Sequence, residues 1–124
     1  MRMHIARFAE KIAKKQRDTY EGSRFRLGAV YSVGSTIVAW GMNEPRPYGN
    51  PPTSVHAEVA TLRQVKFKPK GGDLYVARVL ADGSLSMSRP CDNCLKVIRE
   101  HQIETIHYTN EQGIWVSEEL VYED

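Results

Sequence analysis

The chain has 124 residues, of which 41% are hydrophobic and 26% charged, and its formal net charge is +2. That length suits one modest core, so residues 1–124 are expected to fold as a single domain. No run of about 18 apolar residues could cross a membrane, and so small a charge is no argument by itself for nucleic acid.

The opening segment MRMHIARFAEKIAKK lacks an apolar core of the kind a secretory signal needs, so a cytoplasmic location is expected. Residues 3–17 predict an amphipathic helix, because Ile5, Phe8, Ala9, Ile12 and Ala13 recur at three- and four-residue spacing. Arg2, Arg7, Lys11, Lys14, Lys15, Arg17, Arg24 and Arg26 make this end basic, whereas Glu118, Glu119, Glu123 and Asp124 make the other end acidic. The ordinary reading of such a run is a solvated helix face; the other is a patch that attracts phosphate. Two β-branched-rich runs, 26–33 and 36–42, flank Gly34-Ser35 and read as a hairpin. Residues 43–54 carry four prolines and a glycine and read as a loop.

A helix is expected over 55–66, capped by Thr53 or Ser54. Pro69, Gly71 and Gly72 break the chain, and 73–80 reads as a strand. Residues 81–88 form a turn and an approach to Pro90, which suits the start of a helix. That helix should span 91–101, with Cys91, Cys94, Leu95 and Ile98 on its inner face. A strand over 104–109, a turn at 110–113 and a short strand over 114–117 close the chain. The order α-β-β-α-β-α-β-β contains strand–helix–strand units, which need crossovers and make part of the sheet parallel. The expected fold is a three-layer α/β/α sandwich around a five-stranded mixed sheet.

Only two cysteines occur, Cys91 and Cys94. They are too few for a disulfide framework, which leaves a redox pair or half of a metal site. Earlier in the chain stands His56-Ala57-Glu58. Both segments open predicted helices, and together they offer one imidazole and two thiolates. Three protein ligands with a fourth position for water is the arrangement of a catalytic zinc ion, whereas a structural zinc usually takes four. His4, His101 and His107 could complete a closed site, but none has a metal-like spacing. Free amides at helix N-termini favour thiolate over thiol. Zinc lowers the pKa of bound water and supplies a hydroxide nucleophile, and a carboxylate at Glu58 can carry protons without binding the metal. As plain structure, Glu58 is a helix-start charge, Asn43 a turn residue, Phe25 a core residue and Arg89 a surface charge.

His-x-Glu followed by Pro-Cys-x-x-Cys is the signature of the zinc deaminases, and the chain resembles the cytidine/deoxycytidylate deaminase superfamily over nearly its whole length. Besides His56-Ala57-Glu58 and Ser88-Arg89-Pro90-Cys91-Asp92-Asn93-Cys94, the resemblance rests on Ser23–Val30 in the first strand and Gly41-Met42-Asn43 at the end of the second. It implies Zn2+ held by His56, Cys91 and Cys94, with Glu58 as the catalytic proton shuttle. It also implies that Asn43 bonds the substrate sugar and that Phe25 lines or stacks on the base pocket. The Ala57 amide and the carbonyl near Ser88 would read the amide edge of the pyrimidine. A homo-oligomer is expected, since members of the superfamily usually complete the pocket with a neighbouring subunit.

Several branches share this core. The tight connection between the last two strands resembles the antiparallel ending of the free-nucleoside and blasticidin-type enzymes, because four residues cannot hold the helix that a parallel ending needs. Pro45 stands where nucleoside enzymes have a glutamate, and Arg89 where the tRNA branch has one. Arg89 at the rim, with Arg46 in the proline-rich loop, could hold a 5′-phosphate bidentately. The expected reaction is hydrolytic deamination of cytosine to uracil in a free nucleoside or nucleotide. Two alternatives stay open. One is a polynucleotide deaminase acting on single-stranded DNA cytosine or tRNA adenosine, although Phe25, Trp40, Tyr48 and Trp115 form no cluster in the sequence. The other is a zinc-binding module without catalysis.

Overall fold

The computed structural model describes residues 1–19, 26–46, 53–65 and 71–122. Helix α1 (Met3–Thr19) is followed by the antiparallel pair β1 (Leu27–Val33) and β2 (Thr36–Met42). Their turn is closed by Gly34, whose φ of 60° is open to glycine at little steric cost. Next come β3 (Glu44–Arg46), β4 (Thr53–Val55), α2 (Ala57–Leu62), β5 (Asp73–Val79) and β6 (Leu85–Ser86). Helix α3 (Asp92–Glu100), β7 (Thr105–Thr109) and β8 (Trp115–Glu119) complete the order.

The main sheet runs β2-β1-β5-β7-β8, with β6 hung on β5. β5 pairs antiparallel with β1 and parallel with β7, across the α3 connection. The expected three layers and mixed sheet are present. On one face α1 lays Ile5, Ala6, Ala9, Ile12 and Ala13 against Val30, Tyr75, Ala77 and Val79. On the other, Leu62 of α2 and Cys94 and Ile98 of α3 pack with Ala29, Leu74, Val76 and Ile106. The two clusters alternate along β1 and β5, as the two-residue period of a strand requires. α1 can approach so closely because residue 28 is glycine: a Cβ there would fall 2.5 Å from the Ala9 carbonyl oxygen.

β2 and β5 are each antiparallel to β1, so they run in the same direction. Each is followed by a helix on the same face, and α2 and α3 therefore begin at the same end of the sheet. The crevice beyond the carboxyl ends of strands, where the strand order switches, is the usual ligand position in such sheets.

Some boundaries differ from the sequence reading. The proline-rich stretch contains a short ribbon, with Glu44 opposite Val55 and Arg46 opposite Thr53. A two-stranded ribbon tolerates proline, since its outer edges need no ladder donors. Thr53 and Ser54 are thereby strand residues, and α2 starts later, at Ala57, and stops at Leu62. The approach segment 81–88 includes the two-residue β6, paired through Arg78 with Ser86 and Val79 with Leu85. The last strand extends to Glu119 and is antiparallel to β7, as its short turn required. Among the described residues no helix is long and apolar enough to cross a membrane.

Candidate metal centre and active-site cleft

His56 and Cys91 are the N-caps of α2 and α3, both in extended conformation and neither making a side-chain capping bond. Their side chains turn instead toward each other. His56 Nδ1 lies 3.1 Å from Cys94 Sγ and 3.7 Å from Cys91 Sγ. The three donor atoms all lie within 4.8 Å of one another, and among the described residues no other group of His, Cys, Asp and Glu converges in this way. Tetrahedral zinc with nitrogen at about 2.0 Å and sulfur at about 2.3 Å separates the two by about 3.5 Å. The observed distances bracket that value, so the trio fits such an ion.

Glu58, on the first turn of α2, is 4% exposed, and its Oε1 has no hydrogen-bond partner among the described residues. A buried carboxylate oxygen without a partner is costly and calls for a functional explanation. Burial raises the carboxyl above the ordinary range, offset in part by its own backbone N–H, the Cys94 thiol and the His56 charge. Burial likewise pushes the Cys94 thiol up, reinforced by the neighbouring Glu58 carboxylate. For Cys94 this overrides the helix-end preference for thiolate expected from sequence; the protein alone favours the thiol, and a bound metal reverses that.

The loop carrying Cys91 is held by Ser88, which is buried. Its hydroxyl donates to the Val76 carbonyl at 2.7 Å and accepts from the Thr109 N–H at 2.8 Å. The Ser88 N–H donates to the Thr109 carbonyl at 2.9 Å. One serine thus ties the loop to the middle of β5 and the end of β7.

A cleft of about 150 Å³ opens beside the trio, lined by His56, Glu58, Ser88, Arg89 and Cys91. Leu27, Arg78 and Met87 complete its wall and were missed in the sequence reading. Arg78 did leave a signal: it follows Leu74 and Val76 at strand parity, and an arginine on a core-facing parity at a strand end invites a functional reading. Arg89 is paired with Glu118, donating from Nε at 3.2 Å and Nη2 at 3.0 Å. That bond holds Glu118 below the usual carboxylate range.

Ala57 is the buried first residue of α2, and its amide is among those with no acceptor inside the helix. Asn43 is buried at the end of β2, where Oδ1 accepts from the Leu27 N–H at 3.0 Å, and it is not among the residues lining the cleft. Phe25 and the Arg46 side chain lie outside the described residues.

Two of the other candidate ligands, His107 and His101, have partners elsewhere. His107 lies between Asp73, at 2.8 Å from Nε2, and Ser117, at 2.6 Å from Nδ1. His101 Nδ1 faces the Val97 carbonyl at 3.0 Å. Trp40 packs on Phe8, and Trp115 donates to Glu10 at 3.0 Å, so both sit on the α1 side of the sheet. The exposed Arg7, Lys11, Lys14 and Lys15 also lie on α1, across the sheet from the cleft.

The family described as "Cytidine and deoxycytidylate deaminase zinc-binding region" matches residues 3–110. Comparison with curated proteins gives no match. Among solved structures, the dCMP deaminase of cyanophage S-TIM5 in complex with dCMP and dUMP is 21% identical, with a TM-score of 0.61 over 90% of this chain and 85% of that one. A mutant cytidine deaminase from Mycobacterium tuberculosis is 28% identical, with a TM-score of 0.54 over 84% of this chain and 79% of that one. With the sheet, the His56–Cys91–Cys94 trio and the family match over most of its length in agreement, the chain belongs to the cytidine and deoxycytidylate deaminase zinc-binding family.

Proposed function

We propose that the protein is a zinc-dependent hydrolase that deaminates cytosine to uracil in a free (deoxy)cytidine nucleoside or nucleotide. The observation that carries this reading is the buried, unpartnered Glu58 oxygen beside three convergent soft ligands at a cleft. A purely structural metal site has no use for such a carboxyl.

His56, Cys91 and Cys94 would hold the ion, which supplies Lewis acidity that makes water nucleophilic at neutral pH. Glu58 takes a proton from the water that attacks C4 of the base. It delivers that proton to the ring nitrogen, then takes the proton left on the new C4 hydroxyl and passes it to the amino group, which leaves as ammonia as the C4 carbonyl forms. The raised affinity of Glu58 for protons suits a group that must hold one between these steps. The Ala57 amide and the backbone at Ser88 orient the base by its polar edge. We assign the sugar end to Asn43, whose oxygen fixes the Leu27 amide in the cleft wall, and the outer rim to Arg89. Phe25 is proposed to flank the base.

The domain spans the whole chain in this reading, acts in the cytoplasm, and forms a homo-oligomer that walls off its open cleft. The polynucleotide alternative is weaker: of the aromatic candidates in the described residues, Trp40 and Trp115 are on the opposite face from the cleft, as is the basic side of α1. Incubating zinc-loaded protein with deoxycytidine, dCMP and a cytosine-bearing single-stranded oligonucleotide tests the reading. Turnover of a mononucleoside or mononucleotide, absent in Glu58→Ala, is expected. Turnover of the oligonucleotide alone would favour the polynucleotide reading. Zinc retention with no turnover would favour a binding module.

A further inference from the structure

We propose that Ser117, His107 and Asp73 form a second hydrolytic site, in which the Ser117 hydroxyl is acylated by small neutral carboxylic esters and released again by water. The site lies on the α1 face of the sheet, apart from the metal centre, and does not rest on the deaminase reading.

The three side chains come from the neighbouring strands β5, β7 and β8. Tyr75, His107 and Ser117 stand side by side in register, and Asp73 shares the face of Tyr75 by strand parity. His107 is buried, and its ring stacks on Tyr75 with centroids 4.2 Å apart. The Tyr75 hydroxyl accepts from the Arg2 N–H at 2.9 Å, which fixes the stacking partner in turn. Asp73 Oδ2 lies 2.8 Å from His107 Nε2. The carboxylate keeps the ring proton on that nitrogen and leaves Nδ1 as an acceptor. Ser117 Oγ lies 2.6 Å from Nδ1 and donates to it. The serine is exposed while the imidazole behind it is not. A hydroxyl bonded to an imidazole that a carboxylate orients is the arrangement of an activated nucleophile.

The ladder supplies a further group. β8 is the last strand of the sheet. The Asn110 N–H donates to the Ile114 carbonyl, and the Leu120 N–H to the Glu104 carbonyl. Antiparallel pairs alternate between bonded and unbonded, so His107 and Ser117, which lie opposite each other, are an unbonded pair. Their side chains are drawn together for that reason, and the Ser117 N–H points to the outer edge of the sheet. As the nucleophile's own amide, it can donate to the oxygen that becomes negative when the ester carbon is attacked. Trp115, two residues earlier on the same face, donates its indole N–H to Glu10 at 3.0 Å and gives the serine an apolar flank. Asp73 and the exposed Glu119 are the acidic groups of this face, which favours a neutral ester over an anionic one.

His107 Nδ1 takes the Ser117 proton as Oγ attacks the ester carbon. The carbonyl electron pair moves onto oxygen and returns, and the ester oxygen leaves as an alcohol with the proton from His107. Water then gives a proton to the same nitrogen and attacks the acyl carbon; the carboxylic acid departs and Oγ regains its proton. Ser117 and His107 are the catalytic residues, and Asp73 and Tyr75 position the imidazole.

The test treats zinc-loaded protein with p-nitrophenyl acetate and, separately, with a fluorophosphonate, and locates the adduct by peptide mass mapping. An adduct on Ser117 is expected, with the acetyl group released over time. Ser117→Ala should lose it. His107→Gln and Asp73→Asn should each slow its formation at least about 10²-fold, and Asp73→Glu should restore part of the rate. If His107→Gln does not fold, Asp73→Asn carries the comparison. Glu58→Ala should be labelled at the wild-type rate. No adduct on Ser117 in the folded wild-type protein overturns the proposal. So does an adduct formed as fast in His107→Gln and Asp73→Asn, which would reduce the trio to a structural contact. An acetyl group that is never released removes the hydrolytic cycle, and labelling that disappears in Glu58→Ala would place the nucleophile at the metal centre instead.

Discussion

Replacing Ser88 by alanine should loosen the loop that presents Cys91, because one hydroxyl serves several partners at once. It donates to the Val76 carbonyl at 2.7 Å, accepts from the Thr109 N–H at 2.8 Å and lies 2.9 Å from the Thr109 hydroxyl. Ser88 is 4% exposed and Thr109 is fully buried, so water cannot take over these bonds. Leaving one buried N–H unpaired costs about 1–3 kcal/mol, and the lost donation to Val76 adds about 1 kcal/mol. A total of about 2–4 kcal/mol lowers the urea midpoint by about 1–2 M at an ordinary denaturant slope. The assay is urea unfolding of the metal-free protein followed by far-ultraviolet dichroism, alongside zinc titration. Thr109→Val should be partly non-additive with Ser88→Ala, since the two share the hydroxyl–hydroxyl contact. A midpoint within about 0.3 M of wild type in Ser88→Ala would refute the claim that this serine holds the loop.

Gly28→Ala should destabilise by about 1–3 kcal/mol, read as a lower melting temperature, because the new Cβ would meet the Ala9 oxygen at 2.5 Å and the Ala13 nitrogen at 2.7 Å. Chelating the metal should also lower the melting temperature, and zinc should restore it, since an ion that binds only the folded arrangement stabilises it by mass action. The Arg89–Glu118 pair gives a pH signature: Glu118 is held below its ordinary pKa by Arg89. Its contribution is therefore present above the unfolded value and lost as pH falls through the folded one. The difference in urea midpoint between wild type and Glu118→Gln should shrink to nothing in acid. It should be small even at neutrality, because a half-exposed pair contributes under about 1 kcal/mol.

The parts of the site that are local in sequence were legible there. His56, Glu58, Cys91 and Cys94 sit within a few residues of helix starts, and the structure brings them together. The antiparallel ending followed from the length of the 110–113 turn. What the sequence did not disclose depends on distant partners. Nothing local marks Ser88 as the tie between β5 and β7, because Val76 and Thr109 come from other strands. Asn43 reads as a turn residue until Leu27 is placed beside it. The β3–β4 ribbon was hidden because prolines lower strand propensity and only cross-strand pairing reveals it. Arg78 follows Leu74 and Val76 at strand parity, but its place in the cleft wall beside Leu27 and Met87 shows only in the folded chain.

The most direct test of the central claim is a paired measurement of bound zinc and deamination in wild type and Glu58→Gln, using dCMP and deoxycytidine. About one zinc per chain in both proteins is expected, with ammonia release by wild type and a loss of about 10²–10⁴-fold in kcat for the variant, the range for a general acid–base residue. Zinc bound by both with no ammonia released by either, or release by Glu58→Gln at the wild-type rate, would contradict the account.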